Sequence, residues 1–161
     1  MAGSTVTTTP GGLARLGAQP WLRWSWQTTD RHRLVTTVAM LGMTAAVAMA
    51  VFGLPPVDLH GPLHRFGIMD PLCGGTRAAR YTTQGELGLA WRYNPLGIVT
   101  VAMAAVVTAR TGIGLVGRRW LTLHMAWTPR RLRIVIGVGL VLLIMLEVRQ
   151  QLRVDLLMAG T

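Results

Sequence analysis

Residues 34–54 are 21 consecutive positions without a charge, closed by Pro55-Pro56. As an α-helix, at about 1.5 Å per residue, such a run reaches about 31 Å, enough to cross a hydrocarbon core of roughly 30 Å. A transmembrane helix is the structure that best accommodates it. The triplet Ala46-Val47-Ala48 has the small-residue character of a signal-peptidase site. The apolar run is too long for a signal-peptide core, however, so it reads as a retained first span.

Composition agrees. Of 161 residues, 51% are hydrophobic and 14% charged, with a mean hydropathy of +0.42. Intrinsic disorder is excluded, because it requires low hydrophobicity. A chain of this length normally reads as one soluble domain, but here the apolar residues fall into three blocks separated by arginines. One cysteine excludes an internal disulfide framework and a multi-cysteine zinc site. The expected class is an all-α membrane protein with three transmembrane helices and short interfacial or re-entrant helices in the first loop.

The predicted organisation follows from these blocks. Residues 1–12 form a Thr/Gly-rich tail. Residues 13–33 carry Trp21, Trp24 and Trp26 among four arginines and suit the water–lipid boundary, where tryptophan keeps its ring in lipid and its N–H in water. A nucleic-acid arm is the rival reading of that segment; the apolar block directly after it argues against nucleic acid. The first span is 34–54, the motif loop 55–93 and the second span 94–116. In that second span Asn94 is placed to cap the helix and Pro95 to occupy its first turn. Arg110 is expected to snorkel toward the interface. Residues 117–131 form an Arg/Trp loop, in which Trp120, Leu123 and Trp127 match one helical stripe. The third span, 132–152, is the weakest, with 13 uncharged residues at 134–146; a re-entrant or interfacial helix is its alternative. Residues 153–161 are a short tail.

Arginine counts orient the chain. With three spans, the N-terminal segment and residues 110–133 share one side, holding 10 arginines and one acid, Asp30, while the other side holds 6 arginines and 5 acids. Positive segments stay in the cytoplasm. The expected location is therefore the bacterial inner membrane, multi-pass, with the N-terminus cytoplasmic and the 55–93 loop outside. The Arg/Trp loop suits anionic headgroups, where each cation contributes about 1 kcal/mol.

The outer loop contains Asp70-Pro71-Leu72-Cys73-Gly74-Gly75-Thr76-Arg77-Ala78. Proline and glycine there impose tight turns, Thr76 is placed to cap a short helix at 77–84 closed by Gly85, and residues 86–93 form a second short helix. This pattern resembles the bacterial family catalogued as domain of unknown function 2752, small membrane proteins marked by Cys-Pro-x-Cys-Gly-x-Thr-Arg-Ala and a later Asn-Pro opening a transmembrane helix. The resemblance covers residues 58–96. Pro71, Cys73, Gly74, Thr76, Arg77, Ala78, Gly85-Glu86, Ala90 and Asn94-Pro95 occupy motif positions. It implies a membrane protein with no established activity.

Two departures bear on chemistry. Asp70 stands where the family carries its first cysteine, and His60 where it carries one further upstream, so no CxxC redox pair exists within the chain. His60, His64, Asp70 and Cys73 are nonetheless competent ligands for a divalent metal such as zinc. The plainer reading makes Cys73 a small packing residue and the histidines solvated. Arg77 calls for a partner near a bilayer, with Asp70 and Glu86 as candidates. A structural ion pair and an anion site at Thr76-Arg77 are the two readings. Metalloprotease, hydrolase, phosphate-loop and dinucleotide signatures are absent. Gly42, Ala46, Gly97, Ala104 and Ala105 offer small surfaces for helix contact, within the chain or in self-association. The leading expectation is a non-enzymatic accessory protein that meets a membrane-protein partner. The alternative is a metal- or thiol-dependent enzyme or metal-handling protein centred on Cys73.

Overall fold

The computed structural model describes residues 21–54 and 69–158. In chain order these are strand β1 (Leu22–Gln27), helices α1 (Arg33–Phe52), α2 (Gly75–Thr83), α3 (Leu87–Tyr93) and α4 (Pro95–Gly117), strand β2 (Trp120–Met125), and helices α5 (Pro129–Gln151) and α6 (Val154–Met158). The protein is mostly helical. Two of the helices, α1 and α4, are long and apolar enough to cross a membrane.

The boundaries have local causes. Gly53, at φ +91°, ends α1 and donates its N–H to the Met49 carbonyl. Asn94 Oδ1 accepts the Leu96 N–H at 2.9 Å, and Pro95 fills the first position of α4, where its missing N–H has no helical acceptor to lose. Thr128 caps α5 in the same manner, through the Arg131 N–H. Between α2 and α3, Gly85 adopts φ +81°; the Glu86 N–H reaches the Tyr81 carbonyl and the Gly85 N–H reaches that of Thr82. That pair of bonds is a Schellman stop, which requires a left-handed residue at this point.

Helices α1 and α4 run antiparallel. At one end Thr36 on α1 meets Arg110 on α4. At the other, Thr83 and Gln84 donate to the Ala46 and Ala50 carbonyls of α1, while α2 lies across the start of α4. The buried residues of α4 are Gly97, Val101, Ala104, Thr111 and Gly114, one stripe of small side chains; Val99, Met103 and Val106 are exposed. Of the other small residues expected at contacts, Ala46 is buried, whereas Ala105 is exposed and Gly42 has open space around it.

Gly97 sets the closest approach. A Cβ there would stand 2.6 Å from the Ala78 Cβ and 3.1 Å from the Gly75 carbonyl oxygen. The second neighbour is backbone, so relief requires α2 and α4 to separate. Gly97→Val is therefore expected to destabilise by about 1–3 kcal/mol, read as a lower thermal midpoint in detergent. An unchanged midpoint contradicts that tight crossing.

Three expectations need correction. The all-α class is too narrow, because β1 and β2 form an antiparallel two-stranded sheet with Leu22 opposite Met125 and Gln27 opposite Trp120. Residues 120–125 are a strand, so Trp120 and Leu123 fall on opposite faces rather than on one helical stripe. Apolar and polar residues alternate strictly over 22–27 and again from 121 to 125, which is the period of a strand. Thirdly, α2 begins at Gly75 under a left-handed Gly74 cap at φ +73°, with no capping bond from Thr76.

Candidate functional site

Most of the motif residues named from sequence converge at the end of the molecule where α2, α3 and the start of α4 meet. Asp70 Oδ1 accepts the Leu72 N–H at 2.8 Å, and the Asp70 carbonyl accepts the Cys73 N–H at 3.0 Å. These two bonds tighten the turn that α2 grows from. Gly74 then takes a left-handed conformation, in which a Cβ would lie 2.8 Å from Leu157 Cδ2 on α6. A side chain at Gly74 would be strained at that φ and would have to displace the Leu157 side chain.

Asn94 closes the turn onto α4. Besides its capping bond, its Nδ2 donates to the Pro71 carbonyl at 2.9 Å and the Cys73 carbonyl at 3.0 Å. The residue is fully buried. One side chain thus satisfies a helix N-terminus and two loop carbonyls. Sequence reasoning found the cap and missed the clasp. No local signal was available for it, because the clasp joins positions more than twenty residues apart.

Cys73 faces inward. Its Sγ lies 3.4 Å from Met69 Sδ, and Met69, Cys73 and Leu157 form a buried cluster flanked by Tyr93 and Val154. Burial pushes the Cys73 thiol up, helped by the Asp70 charge, against the opposing influence of the Gly74 N–H and Arg77. A thiol so placed is a poor nucleophile at neutral pH.

Arg77 lies over the Tyr93 ring at 5.6 Å, and Tyr93 stacks on Tyr81 at 5.5 Å. Asp70 and Glu86, the carboxylates expected to pair with Arg77, make no ion pair with it among the described residues. Asp70 serves the turn, and Glu86 is exposed at the head of α3. His60 and His64 lie outside the described residues. Among the described residues no three His, Cys, Asp or Glu side chains gather as a metal set.

The end of α5 and the turn that follows it seal the arrangement. A short helix leaves its last carbonyls without helical partners. Here Arg149 donates to the Trp91 carbonyl, Arg153 to that of Arg92 at 2.8 Å, and Gln150 to that of Tyr93 at 3.1 Å. Gln151 Oε1 accepts the Met69 N–H at 3.1 Å.

Residues 62–108 match the family model described as Protein of unknown function (DUF2752). The DUF2752 segment takes in the Cys73 turn, α2, α3 and more than half of α4, including Pro71, Cys73 and Asn94 of the clasp. Arg149, Gln150 and Leu157 lie beyond it. No curated protein and no solved structure matches the chain.

A second cluster forms at the opposite end of α4, outside the DUF2752 segment. Arg110 Nη2 meets Asp30 Oδ1 at 2.9 Å, its Nε donates to the Leu121 carbonyl, and its guanidinium lies over the Trp120 ring. Asp30 also accepts from the Thr36 hydroxyl at 2.6 Å and the His32 N–H at 2.9 Å. Arg110 thus acts as a bolt joining α1, α4 and β2. Burial works to raise the Asp30 carboxyl; the bonds from Arg110, Thr36 and His32 outweigh it and lower its pKa from 3.8 to about 2.

Proposed function

We propose that this protein is a non-enzymatic accessory protein of the bacterial inner membrane, which presents the Cys-Gly-Gly-Thr-Arg knot at the outer face to a membrane-protein partner. The observation that carries this reading is the inward commitment of the motif: Asn94 spends its side chain on Pro71, Cys73 and Leu96, and Cys73 packs beneath Leu157. Such a knot is a scaffold. The surface it holds outward includes Leu72, Leu87 and Trp91, all more than half exposed.

Three spans fit this reading. Helix α5 has 23 residues, as does α4, and at about 1.5 Å per residue each reaches about 34 Å. It starts three residues after β2 and ends against α3, so it bridges the same two ends as α4. The arginine excess at the sheet end favours a cytoplasmic N-terminus.

A photo-crosslinking residue at Leu72 or Leu87 is expected to capture a distinct membrane protein in native membranes, whereas the same residue at Val106 captures lipid. Purified protein carrying stoichiometric zinc or copper that is lost in Cys73→Ala would overturn the reading in favour of a metal centre at His60, His64, Asp70 and Cys73. Topology is read separately. Leu72→Cys in a Cys73→Ala background is expected to react with an impermeant maleimide in intact cells, while wild-type Cys73 labels only after denaturation. Labelling of Leu72→Cys from the cytosolic side alone would invert the orientation.

A further inference from the structure

The two-stranded sheet has one polar and one apolar face. Paired residues of an antiparallel ladder share a face, so Gln27 with Trp120, Ser25 with Thr122, and Arg23 with His124 lie on one side. That side covers the end of α4. Thr122 is fully buried, Ser25 Oγ and His124 Nε2 are 2.9 Å apart, and the Trp120 ring fills the space where a Gly114 side chain would stand. The opposite side carries Leu22 with Met125, Trp24 with Leu123, and Trp26 with Leu121. It is apolar at every position, and Trp24 and Trp26 are 63% and 57% exposed.

Charge identifies what covers this face. Exposed arginines stand where the strands enter and leave: Arg31 and Arg33 after β1, Arg118 and Arg119 before β2, Arg130 and Arg131 after it. The acid of this end, Asp30, is already taken by Arg110. The result is an apolar, tryptophan-rich plate rimmed by positive charge, placed two residues beyond α4 and within six residues of α1. Tryptophan prefers the boundary between acyl chains and headgroups, and cations at that depth favour anionic lipid. We infer that the outer face of the sheet docks on the anionic phospholipid layer of the membrane that α1 and α4 cross. This rests on reading those two helices as spans.

Spin-label accessibility tests it on the full chain, reconstituted in nanodiscs of phosphatidylcholine with or without phosphatidylglycerol, in a Cys73→Ala background. Labels at Trp24→Cys and Trp26→Cys are expected to relax with oxygen rather than with an aqueous nickel chelate, and a label at Ser25→Cys is not. The difference is expected to shrink without phosphatidylglycerol, and again in Arg118→Gln/Arg119→Gln. A label at Val106→Cys reports the span independently. Oxygen access at Val106 with aqueous access at Trp24 overturns the docking alone, and aqueous access at both overturns the span reading with it. Dipolar broadening between Trp24 labels, abolished by dilution with unlabelled protein, overturns it in favour of a second copy. Indifference to phosphatidylglycerol overturns the anionic partner. Because a label at Trp24 removes the indole itself, unmodified protein is measured in parallel. Brominated phosphatidylglycerol is expected to quench its emission more than brominated phosphatidylcholine, with that excess lost in Trp24→Ser/Trp26→Ser; equal quenching contradicts the inference.

Discussion

Asn94→Ala is expected to lower the unfolding midpoint of the detergent-solubilised protein more than alanine at any other residue of the Cys73 knot. Losing the capping acceptor costs about 1 kcal/mol. Losing Nδ2 leaves the half-buried Pro71 carbonyl and the buried Cys73 carbonyl without their donor, at about 1–3 kcal/mol each. Together these reach about 3–7 kcal/mol, a large share of the 5–15 kcal/mol typical of a folded domain. Asn94→Asp separates the two roles. Aspartate keeps the acceptor facing Leu96 and loses both donors, turning a negative oxygen toward two carbonyls. It is expected to be at least as damaging as alanine, despite being among the best N-caps in general. A midpoint for Asn94→Asp close to wild type would reduce Asn94 to a cap. Helical content followed through a denaturant titration reads both variants.

The same residue shows how far the sequence could be read. Asn-Pro announces a helix start by itself, because each residue has a local reason to be there. The clasp to residues more than twenty positions earlier is a tertiary fact, and no local pattern encodes the approach of Pro71. The lengths of α1 and α4 were legible for a similar reason: uncharged runs and their proline or glycine stops act within the segment. The sheet was legible in principle. Residues 22–27 alternate polar and apolar without a fault, but Trp24 and Trp26 suit an interfacial segment of any backbone conformation, so their boundary preference competes with the period of two. For Arg110 the reverse holds. Snorkelling is the sensible expectation for an arginine near the end of an apolar helix, and its true partner, Asp30, lies 80 positions away. His60 and His64 lie outside the described residues, so the ligand set suggested for them with Asp70 and Cys73 rests on the sequence.

The sheet end depends on Arg110 as the knot depends on Asn94. In Arg110→Met the Asp30 side chain, 8% exposed, loses its cation, and the Leu121 carbonyl loses its donor. Breaking a shielded pair from one side costs about 3–5 kcal/mol, much more than removing the pair as a whole. Arg110→Met should therefore be severely destabilised, and Asp30→Asn/Arg110→Met should recover a substantial part of the loss. A double variant no better than Arg110→Met would mean that the packing of Arg110 on Trp120, rather than the charge pair, holds the sheet to α4. Acid provides an independent check. The Asp30 carboxyl titrates at about 2 in the fold and near 3.8 when unfolded, so the unfolded chain binds this proton first as the pH falls. The contribution of Asp30 is then complete above the unfolded value and drains away as the pH drops from about 4 toward about 2. Subtracting the Asp30→Asn profile from that of wild type isolates this loss from the other carboxylates. A difference that stays flat across that window would show that the carboxylate gains nothing from its partners in the fold.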